Sequence, residues 1–138
     1  FLHWGHDISP EENQYQAGLN FAISYKKNIN FVGKEALLKI KDQNPTKSLA
    51  MMVLKDNRPG EPLLLHEEPI YLDDKIIGRT TSGNYSFNFK KNISFGYVNS
   101  GNTIENLVNK NLSIEVEKKK YPVTIIKKPL NQKNIKDI

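Results

Sequence analysis

The sequence has no cysteine at all. This removes disulfides and thiolate metal sites, and it fits a reducing compartment, so a cytoplasmic location is expected. Arginine is almost as scarce: Arg58 and Arg79 are the whole supply, and the net charge of +5 is carried by lysine. Arginine provides the bidentate contacts that nucleic-acid readers depend on, so no nucleic-acid partner is expected. No apolar run approaches the roughly 20 residues of a spanning helix, and no membrane association is expected. The start also lacks the charged-then-apolar pattern of a secretory leader. There is no Gly-rich phosphate loop, because Gly78-Arg79-Thr80-Thr81-Ser82-Gly83 lacks the Lys-Ser/Thr ending and no helix follows it.

The chain is 138 residues long, enough for one domain plus a piece of another. It opens Phe1-Leu2-His3-Trp4-Gly5. Apolar residues and a tryptophan make an unusual free end, so we expect Phe1 to lie within an element that begins upstream, in a longer protein. Ser9-Pro10-Glu11-Glu12 has the composition of a capping box and predicts a short helix that Gly18 ends. Leu19–Tyr25 alternates as a strand would. Over 31–41, Val32, Ala36, Leu37 and Ile40 recur at helical spacing until Pro45 stops the pattern.

After Asn44-Pro45-Thr46 the periodicity changes. Short strands are predicted at 48–54, 69–72, 75–81, 92–98, 112–117 and 121–126, with turns at 57–60, 73–74, Gly83-Asn84 and Lys118-Lys119. One helical turn fits within 101–109. The fold class is therefore mainly β, α+β overall: a small sandwich or closed barrel after one clear helix. The segment from Lys127 to Ile138 is polar and expected to lie on the surface. Phe21, Phe31, Phe95, Tyr97 and Tyr121 occupy core-like positions.

Candidate chemistry is sparse. His3, His6 and Asp7 resemble metal ligands, but no second cluster completes a tetrahedral site: the only other candidate, His66 with Glu67 and Glu68, is followed by Pro69 in a loop, and no metal site is expected. Asp7 is read as closing the turn opened by Gly5. The acid pairs Glu11-Glu12, Glu67-Glu68 and Asp73-Asp74 are adjacent, so their side chains diverge and form no acid–base dyad. Ser82 and Ser86 have no nearby histidine for a hydrolase triad. No catalytic residue is assigned. Trp4 and Phe21 stand by the apolar start, where they could stack on a flat heteroaromatic ligand.

Several ordered motifs carry a resemblance. Trp4-Gly5-His6-Asp7-Ile8-Ser9-Pro10-Glu11-Glu12-Asn13, Ala17-Gly18-Leu19-Asn20-Phe21-Ala22 and Phe31-Val32-Gly33-Lys34-Glu35-Ala36-Leu37-Leu38 are similar to the folate-binding aminomethyltransferase family. That family includes the glycine cleavage T-protein and the C-terminal halves of dimethylglycine and sarcosine dehydrogenases. Glu68-Pro69-Ile70-Tyr71, Thr81-Ser82-Gly83, Ser94-Phe95-Gly96-Tyr97-Val98 and Tyr121-Pro122-Val123 resemble its C-terminal barrel. His3-Trp4-Gly5-His6-Asp7 looks closer to the dehydrogenase branch. Two stretches depart from the pattern: 100–110 is longer and more polar, and Asn84-Tyr85-Ser86-Phe87 is only loosely similar.

The resemblance implies that 1–45 is the tail of a folate-binding domain and 46–138 a six-stranded Greek-key barrel. It implies tetrahydrofolate as cofactor in one-carbon (aminomethyl) transfer, with the assisting acid in upstream lobes and the chain inactive alone. Those lobes would be its partners, and a flavin (FAD) domain lies upstream if the dehydrogenase branch is correct. Folate-contacting residues would be Phe21, Trp4 and Tyr85. The alternatives are a stand-alone T-protein piece, a relative recruited to iron–sulfur assembly or sulfonium demethylation, and a non-catalytic basic barrel for an anionic partner such as RNA.

Overall fold

A computed structural model describes residues 2–55, 58–99, 101–127 and 130–131. Six strands form a closed, wholly antiparallel barrel: β1 (Lys47–Leu54), β2 (Pro69–Leu72), β3 (Lys75–Ser86), β4 (Lys91–Asn99), β5 (Leu112–Val116) and β6 (Lys119–Ile126). They run in the order β1-β4-β3-β2-β5-β6, and β6 pairs back onto β1. Closure gives every strand two neighbours, so the barrel has no edge strand. The predicted strands are all present. Helix α1 (Lys34–Ile40) lies within the predicted 31–41 span, and α2 (Ile104–Leu107) supplies the expected turn within 101–109.

Alternation along the strands fills the interior. Ala50, Met52 and Leu54 of β1 point inward, as do Ile70, Val98, Leu112, Ile114, Val123 and Ile125 from the strands around them. Leu107 of α2 joins this core, and the Thr103 hydroxyl caps that helix by accepting the Asn106 N–H at 3.2 Å. Burying each such aliphatic side chain contributes about 1.5–3 kcal/mol. Polar groups that enter the interior are satisfied. Ser94 donates to the Ser82 carbonyl at 2.8 Å, and the Asn92 amide reaches the Arg58 carbonyl at 3.0 Å. Thr80 is wholly buried; its hydroxyl donates to the Glu68 carboxylate and accepts the Glu68 N–H, pinning the 61–68 loop across β3.

Four sequence readings are corrected here. Gly83-Asn84 is not a turn: β3 continues to Ser86, pairing Gly83 with Ser94 and Asn84 with Ile93, and the reversal falls at 87–90. Glycine at 83 serves close approach instead, since a Cβ there would stand 2.5 Å from the Cβ of Leu64. The β5–β6 turn is centred one residue earlier than predicted, on Glu117 and Lys118, both at positive φ. Leu19–Tyr25 forms no strand; Asn20–Ala22 makes one 3-10 turn. Finally, Phe21, Phe31, Phe95 and Tyr97 are not core residues: Phe21 is 83% exposed, and Phe95 and Tyr97 are half-buried on the face of β4 opposite the interior, whereas Tyr121 does pack against the core. Alternation was a sound signal where a neighbouring strand exists to pair with; 19–25 has none.

The β3–β4 contact has no spare room. A Cβ on Gly78 would lie 1.9 Å from the Tyr97 carbonyl oxygen, and backbone cannot rotate aside as a side chain does. Gly78→Ala is expected to cost about 3 kcal/mol, read as a lowered urea midpoint. An unchanged midpoint would mean that Gly78 does not face Val98 as the register places it.

Candidate functional site

The segment before the barrel is an arm laid against β1, β3 and β4. Its first turn is set by Gly5, at φ 91, and by the His3 carbonyl, which accepts the Asp7 N–H at 2.8 Å. The turn presents Asp7 to the barrel. Asp7 is 1% exposed, and its carboxylate accepts from the His3 N–H at 2.7 Å, the Thr81 hydroxyl at 2.5 Å and the Ser82 hydroxyl at 2.8 Å. The Tyr97 hydroxyl donates to the Asp7 carbonyl at 2.9 Å.

Consecutive strand residues normally face opposite sides. Thr81 and Ser82 reach one carboxylate oxygen because the register shifts between Thr80 and Ser82, where Thr80 faces Gly96 and Ser82 faces Phe95. Thr81 is the extra residue of that bulge, which re-aims the two hydroxyls together. Further along the arm, Ser9 and Glu12 make the expected capping-box contacts: the Ser9 N–H and hydroxyl reach the Glu12 carboxylate at 2.8 and 2.7 Å. They close turns rather than a regular helix. Glu12 also pairs with Lys47 at 2.5 Å, and Gln16 holds Thr46 and the Leu49 N–H, each at 2.8 Å.

Between arm and barrel lies a cleft of about 390 Å³, lined by His3, Asp7, Ser82, Asn84, Tyr85 and Phe95 among others. Histidine, aspartate and serine thus share one cavity, but not as a catalytic relay. Ser82 donates directly to Asp7, while the His3 ring meets His6 edge-on at 4.6 Å. Asp7 is the cleft's carboxylate, and both of its oxygens already accept hydrogen bonds. The arrangement can bind and orient; it offers no free acid or base pair. Tyr85 is half-buried on the cleft wall, its ring edge-on to Phe87 at 5.2 Å. Trp4 is 66% exposed beside His3. Phe21 is not brought to this cleft: its neighbours Ala22 and Ile23 line a second, mainly apolar groove of about 540 Å³ with Ile29, Phe31, Val32 and Leu37. Helix α1 buries none of its residues, and Val32 just before it is fully exposed.

The Asp7–Thr81–Ser82 cluster is what sequence reasoning missed. A bulge leaves no compositional signature, although two adjacent hydroxyl residues in a strand were a visible hint. The Tyr97 hydroxyl is pushed well above its ordinary pKa by burial and by the nearby Glu12 and Asp7 charges. Burial alone would raise Glu12, but hydrogen bonds from Lys47 and Ser9 and the Lys47 charge outweigh it and leave its pKa lowered.

This is a small closed antiparallel barrel with an ordered N-terminal arm, and comparison with known proteins gives that architecture a family. The family described as glycine cleavage T-protein C-terminal barrel domain matches residues 47–131, and the chain belongs to it. An aminomethyltransferase of Symbiobacterium thermophilum is 37% identical over 95 residues, 69% of this chain and 24% of its own length. The mitochondrial dimethylglycine dehydrogenase of Rattus norvegicus is 34% identical over 132 residues, 94% of this chain and 14% of its own. The crystal structure of glycine cleavage system aminomethyltransferase T from Bartonella henselae superposes with a TM-score of 0.74 at 20% identity, over 91% of this chain and 34% of that one. The chain therefore spans about a third or less of the length of these proteins.

Because the folded-state pKa of Glu12 is depressed, its contribution to stability is present above the unfolded carboxylate value and is lost as pH falls through the folded one. Glu12→Gln is expected to cost about 1 kcal/mol at pH 7. The gap between the two proteins should close as pH drops below about 4, measured by denaturation across pH. A gap that stays constant down to acid pH would show that the charge of Glu12 contributes nothing.

Proposed function

We propose that this chain is the barrel-bearing C-terminal part of a tetrahydrofolate-dependent one-carbon transfer protein of the dimethylglycine dehydrogenase kind. One observation carries the one-carbon transfer reading: the likeness extends over 132 residues to that dehydrogenase and over 126 to an aminomethyltransferase of Listeria welshimeri, well beyond the matched barrel, and so takes in the arm. The resemblance of His3-Trp4-Gly5-His6-Asp7 favours the dehydrogenase kind. Residues 1–45 then belong to a folate-binding domain completed by upstream lobes, with a flavin domain further upstream. The exposed apolar surface supports this. An amphipathic helix of seven residues with none of them buried gains little from forming alone, and the groove at Ile29, Phe31 and Val32 is the face such lobes would cover.

The residues present fit one wall of a folate site. In the cleft, Tyr85 and Phe95 offer aromatic surface to a flat ring, and Asn84 and Ser86 offer polar groups to its edge. Trp4 and Phe21 add exposed aromatics outside it. Bound tetrahydrofolate would supply the nitrogen that accepts the one-carbon unit. This chain's part is to pack against the ring, orient it and exclude water from that side. The assisting acid is assigned to the upstream lobes, in keeping with the engagement of both Asp7 oxygens in holding the arm.

Titrating tetrahydrofolate into the 138-residue chain and into the full-length protein tests this reading. Weak or absent binding by the short chain and clear binding by the long one is expected. A further loss is expected when Tyr85 is replaced by Ala in the long protein. Equal, tight binding by both would place the site elsewhere.

A further inference from the structure

Two of the three histidines, His3 and His6, lie in the arm's first turn, while His66 is sixty residues further on in the 61–68 loop. No second ligand cluster is visible in the sequence, but the fold brings His66 beside the arm. The His3 and His6 ring centroids are 4.6 Å apart, and those of His6 and His66 are 5.8 Å apart. All three side chains are exposed, and among the described residues no hydrogen bond or ion pair engages any of their ring nitrogens.

Two imidazoles bound to one tetrahedral ion at about 2.0–2.1 Å place their centroids about 5 Å apart. The two observed separations fall on either side of that value. In the rotamers seen, no three such groups among the described residues converge on a single ion. Turning an exposed side chain about its χ angles is fast and costs little, whereas moving its backbone would not be. Here the backbones are fixed. The His3 N–H is tied to Asp7 at 2.7 Å, the His6 N–H to the His3 carbonyl at 3.3 Å, and the Glu67 N–H beside His66 to the Thr80 carbonyl at 2.8 Å. The neighbouring acid, Glu67, is held by Arg79 at 2.6 Å, which leaves imidazole as the available donor. Imidazole selects zinc, copper and nickel over magnesium or calcium.

We propose that His3, His6 and His66 form a surface site for one divalent transition-metal ion, with water completing the coordination. A bound ion would join the arm to the 61–68 loop, bridging two segments that already pack on β3. His3 also lines the cleft, but neither Tyr85 nor Phe95 takes part in the metal site, so it does not depend on the folate reading.

The test uses tag-free full-length protein, titrated calorimetrically with zinc chloride and, separately, nickel chloride. Saturable binding of one ion per chain is expected, weakened about tenfold or more by His66→Ala and by His6→Ala. Copper(II) added to the unaltered protein should give an electron paramagnetic resonance spectrum with couplings from three imidazole nitrogens. This readout does not depend on how the variants fold. No saturable binding, affinity unchanged in His66→Ala, or couplings from two nitrogens only would each overturn the proposal.

Discussion

A single buried carboxylate joins the two parts of this molecule. Asp7 sits at the end of a tight turn in the arm and takes hydrogen bonds from its own turn and from two consecutive hydroxyls of β3. A buried carboxylate without donors would be too costly to keep. With three donors it becomes a strong attachment, since hydrogen bonds to a charged group contribute about 1.5–3 kcal/mol each. The geometry that allows this is the bulge at Thr81, so the barrel's irregularity and the arm's position are one constraint. Glu12–Lys47, Gln16–Thr46 and Tyr97 then extend the same attachment along β1 and β4.

The consequence for function is a division of labour along the chain. The barrel is self-sufficient: it closes on itself and buries an aliphatic interior. The region from Leu19 to Ile40 is the opposite, with a helix that buries nothing and aromatics turned to solvent. The arm, which precedes both, is tied to the barrel through Asp7 and forms one wall of an aromatic-lined cleft. A wall of this kind is what the proposed role, part of a binding site completed by other lobes, requires. The family to which the chain belongs, and its small share of its relatives' length, agree with that division.

The barrel was legible in the sequence because period-two alternation and turn residues act locally, and five of six strand positions were read to within a few residues. The exception is instructive. Gly83-Asn84 has the composition of a turn, but Gly83 answers a distant demand, clearance for Leu64, that no local pattern records. Phe21 and Phe31 were misplaced for a related reason: alternation tells which side chains share a face, not whether anything covers it. Tyr85 was named from the resemblance and lines the cleft, whereas Trp4, named from its place at the apolar start, is not among the cleft's lining residues. The importance of Asp7 was half seen, as a residue closing its own turn; its bonds to Thr81 and Ser82 cross more than seventy positions and could be read only from the fold.

The most direct test of the Asp7 attachment is a double-mutant cycle on stability, with Asp7→Ala, Ser82→Ala and the pair together. A hydroxyl that donates to a buried carboxylate should show a coupling of about 1–2 kcal/mol, so that the double variant loses clearly less than the sum of the singles. Additive losses, within about 0.5 kcal/mol, would contradict the account and mean that the arm is held to the barrel by something other than this carboxylate.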